Sequence, residues 1–234
     1  MSVLVSVGIV ILAMLIMAFL QLTSGVFSLL CHYASGKYPK KRASDLEIFF
    51  ILGAETIAVC LFLCCYYFSY ILFFGSSRPE TGIIAWIAVG VSIVLAVICL
   101  TFYYRKGVGS RLFIPRKVAH SLNKYAKSAK TRSDAFTLGA LCGTYELPFT
   151  LPLYLITAVE IMEMNAEYYS SYLLTFLYIL APIVPLLIVR WTFLVHHSLA
   201  ELAKARVRDK NFVRFILAFS YMTIAILIIC FRIK

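Results

Sequence analysis

Six long apolar stretches determine what this chain can fold into, because each is long enough to cross a lipid bilayer. A backbone inside hydrocarbon must satisfy its own hydrogen bonds, so such stretches form helices. Of the 234 residues, 62% are hydrophobic and only 14% are charged, unlike a soluble domain. The sequence therefore predicts an all-α, polytopic transmembrane helix bundle that forms one membrane domain over residues 1–234. The six spans are predicted at about Val3–Tyr33, Leu46–Phe74, Gly82–Tyr104, Ala135–Ile161, Tyr169–Val189 and Phe212–Phe231.

Basic residues fall almost entirely in alternate loops. The loops after spans 1, 3 and 5 carry clusters of Lys and Arg, whereas the other two share only Arg78. The positive-inside rule then predicts that both termini lie outside and that the three basic loops lie in the cytoplasm. The same placement accounts for the net charge of +11 without nucleic-acid binding. The lipid bilayer is the expected partner of the chain.

The six spans divide into two triplets, about 1–104 and about 134–234, joined by a cytoplasmic linker at about 105–133. Because three is odd, the triplets are predicted to be inverted repeats, an architecture that builds substrate sites from broken helices. The segment Leu46–Ala54 is similar to Leu174–Pro182, and Thr23–Leu30 can be aligned with Leu147–Tyr154.

In the linker, apolar residues from Val118 to Ala129 share one helical face, which predicts a basic amphipathic helix on the inner leaflet.

The stretch Phe136–Glu160 combines the length of a span with features that break helices. Pro148 and Pro152 each lack a backbone N–H, and Glu146 precedes them closely. A carboxyl at membrane depth must be paired, protonated or hydrated. The sequence predicts a broken helix with a polar site at Glu146. The alternative is a kinked structural helix whose neutral Glu bonds to a neighbour.

Counting helical rise from the cytoplasmic side places Glu55 and Glu146 at similar depths, roughly 14 to 17 Å into the membrane. Two carboxyls at one depth can bind a cation or share a proton. The predicted site for a small solute or an ion comprises Glu55, Glu146, Pro148, Pro152, Thr144 and Tyr145. The glycines expected to permit close helix packing are Gly25, Gly53, Gly139 and Gly143. Arg190, at the inner end of span 5, is expected to extend to the interface. The alternative, which its depth disfavours, is that it pairs with a Glu.

At these residues the chain resembles the LysE superfamily and, within it, the CcdA/DsbD-type transmembrane electron carriers of cytochrome c biogenesis. The segment Pro148–Pro152 is similar to their Pro-Cys-x-x-Pro motif, with Phe149 at the cysteine position. In span 1 the segment Ser24–Ser28 takes the place of that motif, with Gly25 at the cysteine position, and the basic loop and Phe50–Gly53 follow. The resemblance implies two inverted triplets with both termini outside, in a prokaryotic inner membrane.

Three functions stay open at this point. The first is a LysE-like transporter of a small solute or cation. The second is a membrane thiol oxidoreductase that takes electrons from a cytoplasmic thioredoxin-like protein through a shifted cysteine pair, Cys31 and Cys142. The third is a non-catalytic scaffold subunit. The sequence favours a protein that is not an enzyme. No pattern in it predicts a cofactor, a metal site or nucleotide binding.

Overall fold

The computed structural model of the chain describes residues 2–33, 39–74, 81–101, 122, 124–126, 128–164, 168–196 and 210–232. The elements in these ranges are α-helices, which confirms the all-α prediction. The helices are α1 (Ser2–Tyr33), α2 (Lys40–Phe74), α3 (Thr81–Thr101), α4 (Arg132–Tyr145), α5 (Leu147–Glu163), α6 (Tyr168–Leu180), α7 (Ile183–His196) and α8 (Lys210–Arg232).

Four segments are long and apolar enough to cross a membrane, which is compatible with an integral membrane protein. They are Val3–Leu22, Lys41–Leu72, Ser171–Thr192 and Arg214–Phe231. Two shorter apolar helices cover Ala85–Thr101 and Leu147–Met162. Large apolar side chains such as Trp86, Trp191 and Phe219 are exposed around the bundle. An exterior of this kind suits lipid and would be a liability in water.

The stretch with the two prolines forms two helices that meet at Glu146. Glu146 caps the C-terminus of α4 and the N-terminus of α5, and its carbonyl accepts bonds from the N–H groups of Phe149 and Thr150. Pro148 lies in the first turn of α5, where its missing N–H costs nothing. Pro152 lies inside α5. The expected helix break therefore falls at the carboxyl-bearing residue itself.

Span 5 contains a second break, inside the segment Ser171–Thr192 that is long and apolar enough to cross a membrane. Helix α6 ends at Leu180 and α7 begins at Ile183, with Ala181 and Pro182 in a turn between them. Pro182 has no N–H to continue the helical bonding, and Pro185 removes another donor in the first turn of α7. The α4–α5 break, by contrast, precedes the shorter apolar helix Leu147–Met162.

Helices α2 and α4 pack closely because glycines lie at their crossing. A methyl group on Gly53 would overlap the carbonyl oxygen of Phe136, and one on Gly139 would overlap the carbonyl oxygen of Phe50. The two helices therefore touch through their backbones. Gly143 is less crowded, since a methyl group there would make an ordinary contact with the side chain of Ile57.

The main apolar core joins α1, α2, α3, α5, α6 and α8. Helix α3 packs mainly on α8, and α1 contacts α2, α5, α7 and α8. The buried Tyr221 hydroxyl of α8 donates a hydrogen bond to the carbonyl of Phe149, 3.1 Å away. That bond holds the first turn of α5, beside the break, against the last helix.

The described part of the linker lies against protein. Leu122 and Ala126 are buried in a second apolar cluster with Phe50 of α2, Leu138 of α4 and Leu186 of α7. The expectation that this apolar face lies on the inner leaflet was therefore wrong for these residues. Packing against three helices offers them more complete burial than a lipid surface.

Candidate functional site

Glu146 is buried at the break between α4 and α5, with only 2% of its surface exposed. The side-chain amide of Gln21 on α1 donates a hydrogen bond to Glu146 Oε2 over 2.9 Å. Because both side chains are buried, this bond is much less screened by water than a surface contact. It fixes the carboxyl of the broken helix to the first helix of the chain.

Glu55 lies on α2 beside a cavity of about 10 Å³, which is room for one water molecule. Both of its carboxyl oxygens are buried and lack a hydrogen-bond partner among the described residues. The cavity walls come from α2, α5, α6 and the turn at Pro182. The unpartnered carboxyl therefore faces a small cavity next to the second helix break.

Three aromatic rings pack together around this cavity. The ring centroids of Phe62 and Tyr178 lie 5.1 Å apart, those of Tyr154 and Tyr178 lie 6.1 Å apart, and those of Phe62 and Tyr154 lie 6.3 Å apart. The Tyr154–Tyr178 pair is edge-to-face at 82°, a favoured arrangement for aromatic side chains. The rings fill the space between α2, α5 and α6, so the cavity beside Glu55 stays small.

Tyr154 connects the two carboxyls that the sequence singled out. It lies within electrostatic range of both Glu55 and Glu146. It follows Glu146 by eight residues on α5, and it lines the Glu55 cavity. Glu55 and Glu146 thus belong to one region of the bundle, although they come from distant parts of the sequence.

The other predicted site residues add no buried polar side chain to this region. Thr144 is exposed and donates a hydrogen bond to the carbonyl of Ala140 in its own helix, 2.9 Å away. Tyr145 is also exposed, so neither side chain supports a buried site. Pro148 has an exposed side chain and Pro152 a partly buried one. The two prolines shape the backbone without supplying polar groups.

Glu47 is a fully buried carboxyl that the sequence prediction missed. Its Oε2 atom accepts a hydrogen bond of 2.6 Å from the Ser28 hydroxyl, and its Oε1 atom has no partner among the described residues. Arg190 of α7 interacts with Glu47 electrostatically and bonds weakly to the carbonyl of Ser44 at 3.4 Å. Arg190 is half-buried near the start of α2, which agrees with the alternative that it pairs with a Glu, and its extension to the interface stays a prediction. The available signal was an acidic residue directly after the predicted start of span 2.

The proposed cysteine pair is described only in part. Cys142 is buried in the apolar cluster around Phe50 and Leu138. The side chain of Cys31, and Gly25 with its surroundings, lie outside the described residues. A redox pair of Cys31 and Cys142 therefore stays a prediction. In the described ranges, no group of three or more His, Cys, Asp and Glu side chains could hold a metal ion.

Comparison with known proteins matches the chain to no protein-family model, no curated protein and no solved structure. A functional proposal for this chain therefore depends on its own residues, above all on the carboxyls buried among its helices.

Proposed function

We propose that this chain is a multi-pass membrane transporter that moves a small solute or cation through the cavity beside Glu55. The observation that carries the proposal is the Glu55 carboxyl itself, whose two oxygens are buried at a cavity and have no hydrogen-bond partner in the described part of the chain. An ionisable side chain inside a membrane domain is costly for stability. It is expected where a transported species has to be bound.

Both helix breaks support this proposal. The α4–α5 break carries Glu146, and the α6–α7 break contributes Pro182 to the wall of the Glu55 cavity. In many transporters, discontinuous helices expose backbone groups and helix ends to a site at mid-membrane depth. Tyr154 interacts with Glu146, at the first break, and with Glu55, at the cavity beside the second break. The chain therefore has the local features that a midplane site requires.

The pattern of helix contacts supports six spans arranged as two inverted repeats. In this assignment α1, α2 and α3 are spans 1 to 3, α4 with α5 is span 4, α6 with α7 is span 5, and α8 is span 6. Two inverted repeats would make span 1 equivalent to span 4, span 2 to span 5, and span 3 to span 6. Under this equivalence, each principal contact between helices corresponds to another observed contact or to itself. The α2–α4 contact becomes the α7–α1 contact, and the α3–α8 contact becomes itself. A pseudo-two-fold axis would produce this pattern.

The Gln21–Glu146 hydrogen bond agrees with the same symmetry. Aligning Thr23 with Leu147 brings Glu146 onto Leu22, next to Gln21. The two bonded residues therefore occupy nearly equivalent positions in the two repeats. Their bond would lie close to the pseudo-two-fold axis, where a LysE-like protein would build its site.

Contacts at the basic ends of the helices support the proposed orientation. Arg42, at the start of α2, donates a hydrogen bond to the carbonyl of Lys130, just before α4, at 3.3 Å. Arg132, at the start of α4, lies over the ring of Phe49 at 5.3 Å. The basic starts of α2 and α4 are thus at one end of the bundle. We assign that end to the cytoplasm, with both termini outside.

A transport assay tests the proposal. The full chain is reconstituted into liposomes on a solid-supported membrane, and currents are recorded after concentration jumps of sodium, potassium, ammonium or a mixture of amino acids. We expect at least one of these probes to give a current that Glu55→Gln abolishes. Gly90→Ala is the matched control, because a methyl group at Gly90 meets nothing within 4 Å. Equal currents in wild-type protein, Glu55→Gln and Glu146→Gln would contradict the proposal.

A further inference from the structure

We infer that the ion bound at the cavity beside Glu55 is a proton, carried by the Glu55 carboxyl. The role of this proton in transport rests on the proposed function, but its binding does not. The proposed function leaves open whether the site binds a solute or a cation, and a proton is one specific cation.

The cavity lining is poorly suited to a metal cation. Hard cations such as Ca²⁺ take six to eight oxygen ligands, and Mg²⁺ requires near-octahedral coordination. Among the described residues of the wall, Glu55 contributes the one carboxyl, and the others are aliphatic and aromatic, including Tyr154 and Tyr178. The cavity has room for a single water molecule. Two carboxyl oxygens and one water leave most of a metal coordination shell empty.

The surroundings of Glu55 favour a neutral carboxyl. An ionised carboxylate that is removed from water without a hydrogen-bond donor or a cation is strongly unfavourable. Neither Glu55 oxygen has a hydrogen-bond partner among the described residues. Binding one proton removes the charge and needs no additional ligand. A proton is therefore the ion that this site can hold as it stands.

The ionisable groups on the neighbouring helices do not supply a compensating charge. Tyr154 on α5 and Tyr178 on α6 line the cavity and are neutral. Glu146, at the α4–α5 break, is itself acidic and is bonded by Gln21 of α1. Arg190 on α7 interacts with Glu47, which precedes Glu55 by eight residues, or about 12 Å of helical rise.

The remaining neighbour of α2 is α4. Its Cys142 side chain belongs to the apolar cluster around Phe50 and is not among the residues that line the cavity. The described residues thus place one acid and no base at this cavity. This arrangement differs from that of Glu47, which has both a hydroxyl donor and an arginine nearby.

Infrared difference spectroscopy tests the inference without requiring a reagent to enter the cavity. The C=O stretch of a protonated carboxyl is separate from the carboxylate bands. The reconstituted full chain is recorded at neutral pH and again at alkaline pH. We expect a protonated-carboxyl band at neutral pH that disappears at alkaline pH and is missing in Glu55→Gln. Replacing potassium by sodium should leave the band unchanged.

Two further variants keep the test decisive. Glu55→Asp retains a carboxyl, so it should keep a band at a shifted frequency even if Glu55→Gln folds poorly. Glu47→Gln should keep the Glu55 band. The inference is overturned if Glu55→Gln and wild type have the same bands at neutral pH. It is also overturned if sodium removes the band, because Glu55 would then be a cation ligand.

The same variants separate this inference from the transport proposal. A Glu55 band together with unchanged currents in Glu55→Gln would leave the proton site standing and reject transport through it. Currents abolished in Glu55→Gln, with no Glu55 band in wild type, would support transport and reject the proton.

Discussion

Gly53 on α2 and Gly139 on α4 each lie against the backbone of the opposite helix. The carbonyl oxygen of Phe136 occupies the space where a Gly53 side chain would be, and the carbonyl oxygen of Phe50 does the same for Gly139. This reciprocal contact brings the helix of Glu55 against the helix that ends at Glu146. The glycine contact therefore sets the relative position of the two carboxyls.

Substituting either glycine by alanine should destabilise the bundle. The added methyl group must displace backbone, so we expect Gly139→Ala to lower the free energy of unfolding by about 3 kcal/mol. Gly143→Ala should cost much less, since its nearest neighbour is a side-chain atom at 3.4 Å. Gly90→Ala should be neutral or slightly stabilising, because alanine favours the helix. Unfolding in detergent measures the series, and equal stability of Gly139→Ala and Gly90→Ala would refute the backbone contact.

The Gln21–Glu146 bond should contribute measurably to stability. Gln21→Leu removes a donor from a buried carboxyl, and we expect a loss of about 1 to 3 kcal/mol. A double-mutant cycle with Glu146→Leu, which removes the accepting oxygens, separates the pair from other effects of each substitution. The coupling energy should be favourable and clearly above experimental error. A coupling of zero would mean that the two side chains do not interact in the folded protein.

The Ser28–Glu47 bond makes a parallel prediction at another buried carboxyl. Ser28→Ala removes the hydroxyl that lies 2.6 Å from Glu47, at an expected cost of about 1 to 3 kcal/mol. Ser92→Ala is the matched control, since the buried Ser92 hydroxyl has no partner among the described residues. Thermal unfolding should therefore distinguish the two serine variants. Similar losses in both would show that Glu47 gains nothing from Ser28.

The start of α4 should respond to acid. Thr131 and Asp134 form a reciprocal capping box, in which the Asp134 carboxylate also accepts the N–H of Lys130. The backbone bond from Lys130, followed by the bonds from Thr131, lowers the pKa of Asp134 below its ordinary value. Because the folded pKa is the lower one, this stabilisation is present above the unfolded pKa. It is lost as the pH falls through the folded pKa.

Asp134→Ala and Thr131→Ala test the cap. Loss of the Thr131 hydroxyl should cost about 1 kcal/mol near neutral pH. The stability difference between wild type and Asp134→Ala should shrink as the pH is lowered below the ordinary range for aspartate. Unfolding measured over this acidic range provides the check. A difference that is independent of pH would exclude a role for the ionised carboxylate.

Local sequence was sufficient to predict the helices but not all of their ends. The length of the apolar runs predicted helices, and Pro148 predicted the break at Glu146. Pro182 and Pro185 carry the same signal in span 5, where a span was predicted without a break. Apolar periodicity does not reveal where a backbone leaves the helix when the side chains on both sides remain apolar.

The contacts of the buried carboxyls could not be predicted from the sequence, because they join residues that are far apart in the chain. Glu55 and Glu146 were evident as carboxyls inside apolar segments. Gln21 reaches Glu146 from α1, and Tyr154 on α5 reaches Glu55 on α2, so no local pattern identifies these contacts. Glu47 was missed because an acidic residue at the start of a span is usually hydrated. Only the packing of α1 and α7 against α2 buries it.

The most direct test of transport through the Glu55 cavity is its accessibility from each side of the membrane. Ala58 lines that cavity and is 7% exposed, whereas Ala13 lies in the core of α1 with no exposure. Ala58→Cys and Ala13→Cys are made in a chain whose seven native cysteines are replaced. A membrane-impermeant thiol reagent is then added to right-side-out or inside-out vesicles. A cavity that opens alternately predicts modification at position 58 from both sides and none at position 13. No modification at position 58 from either side would contradict transport through this cavity.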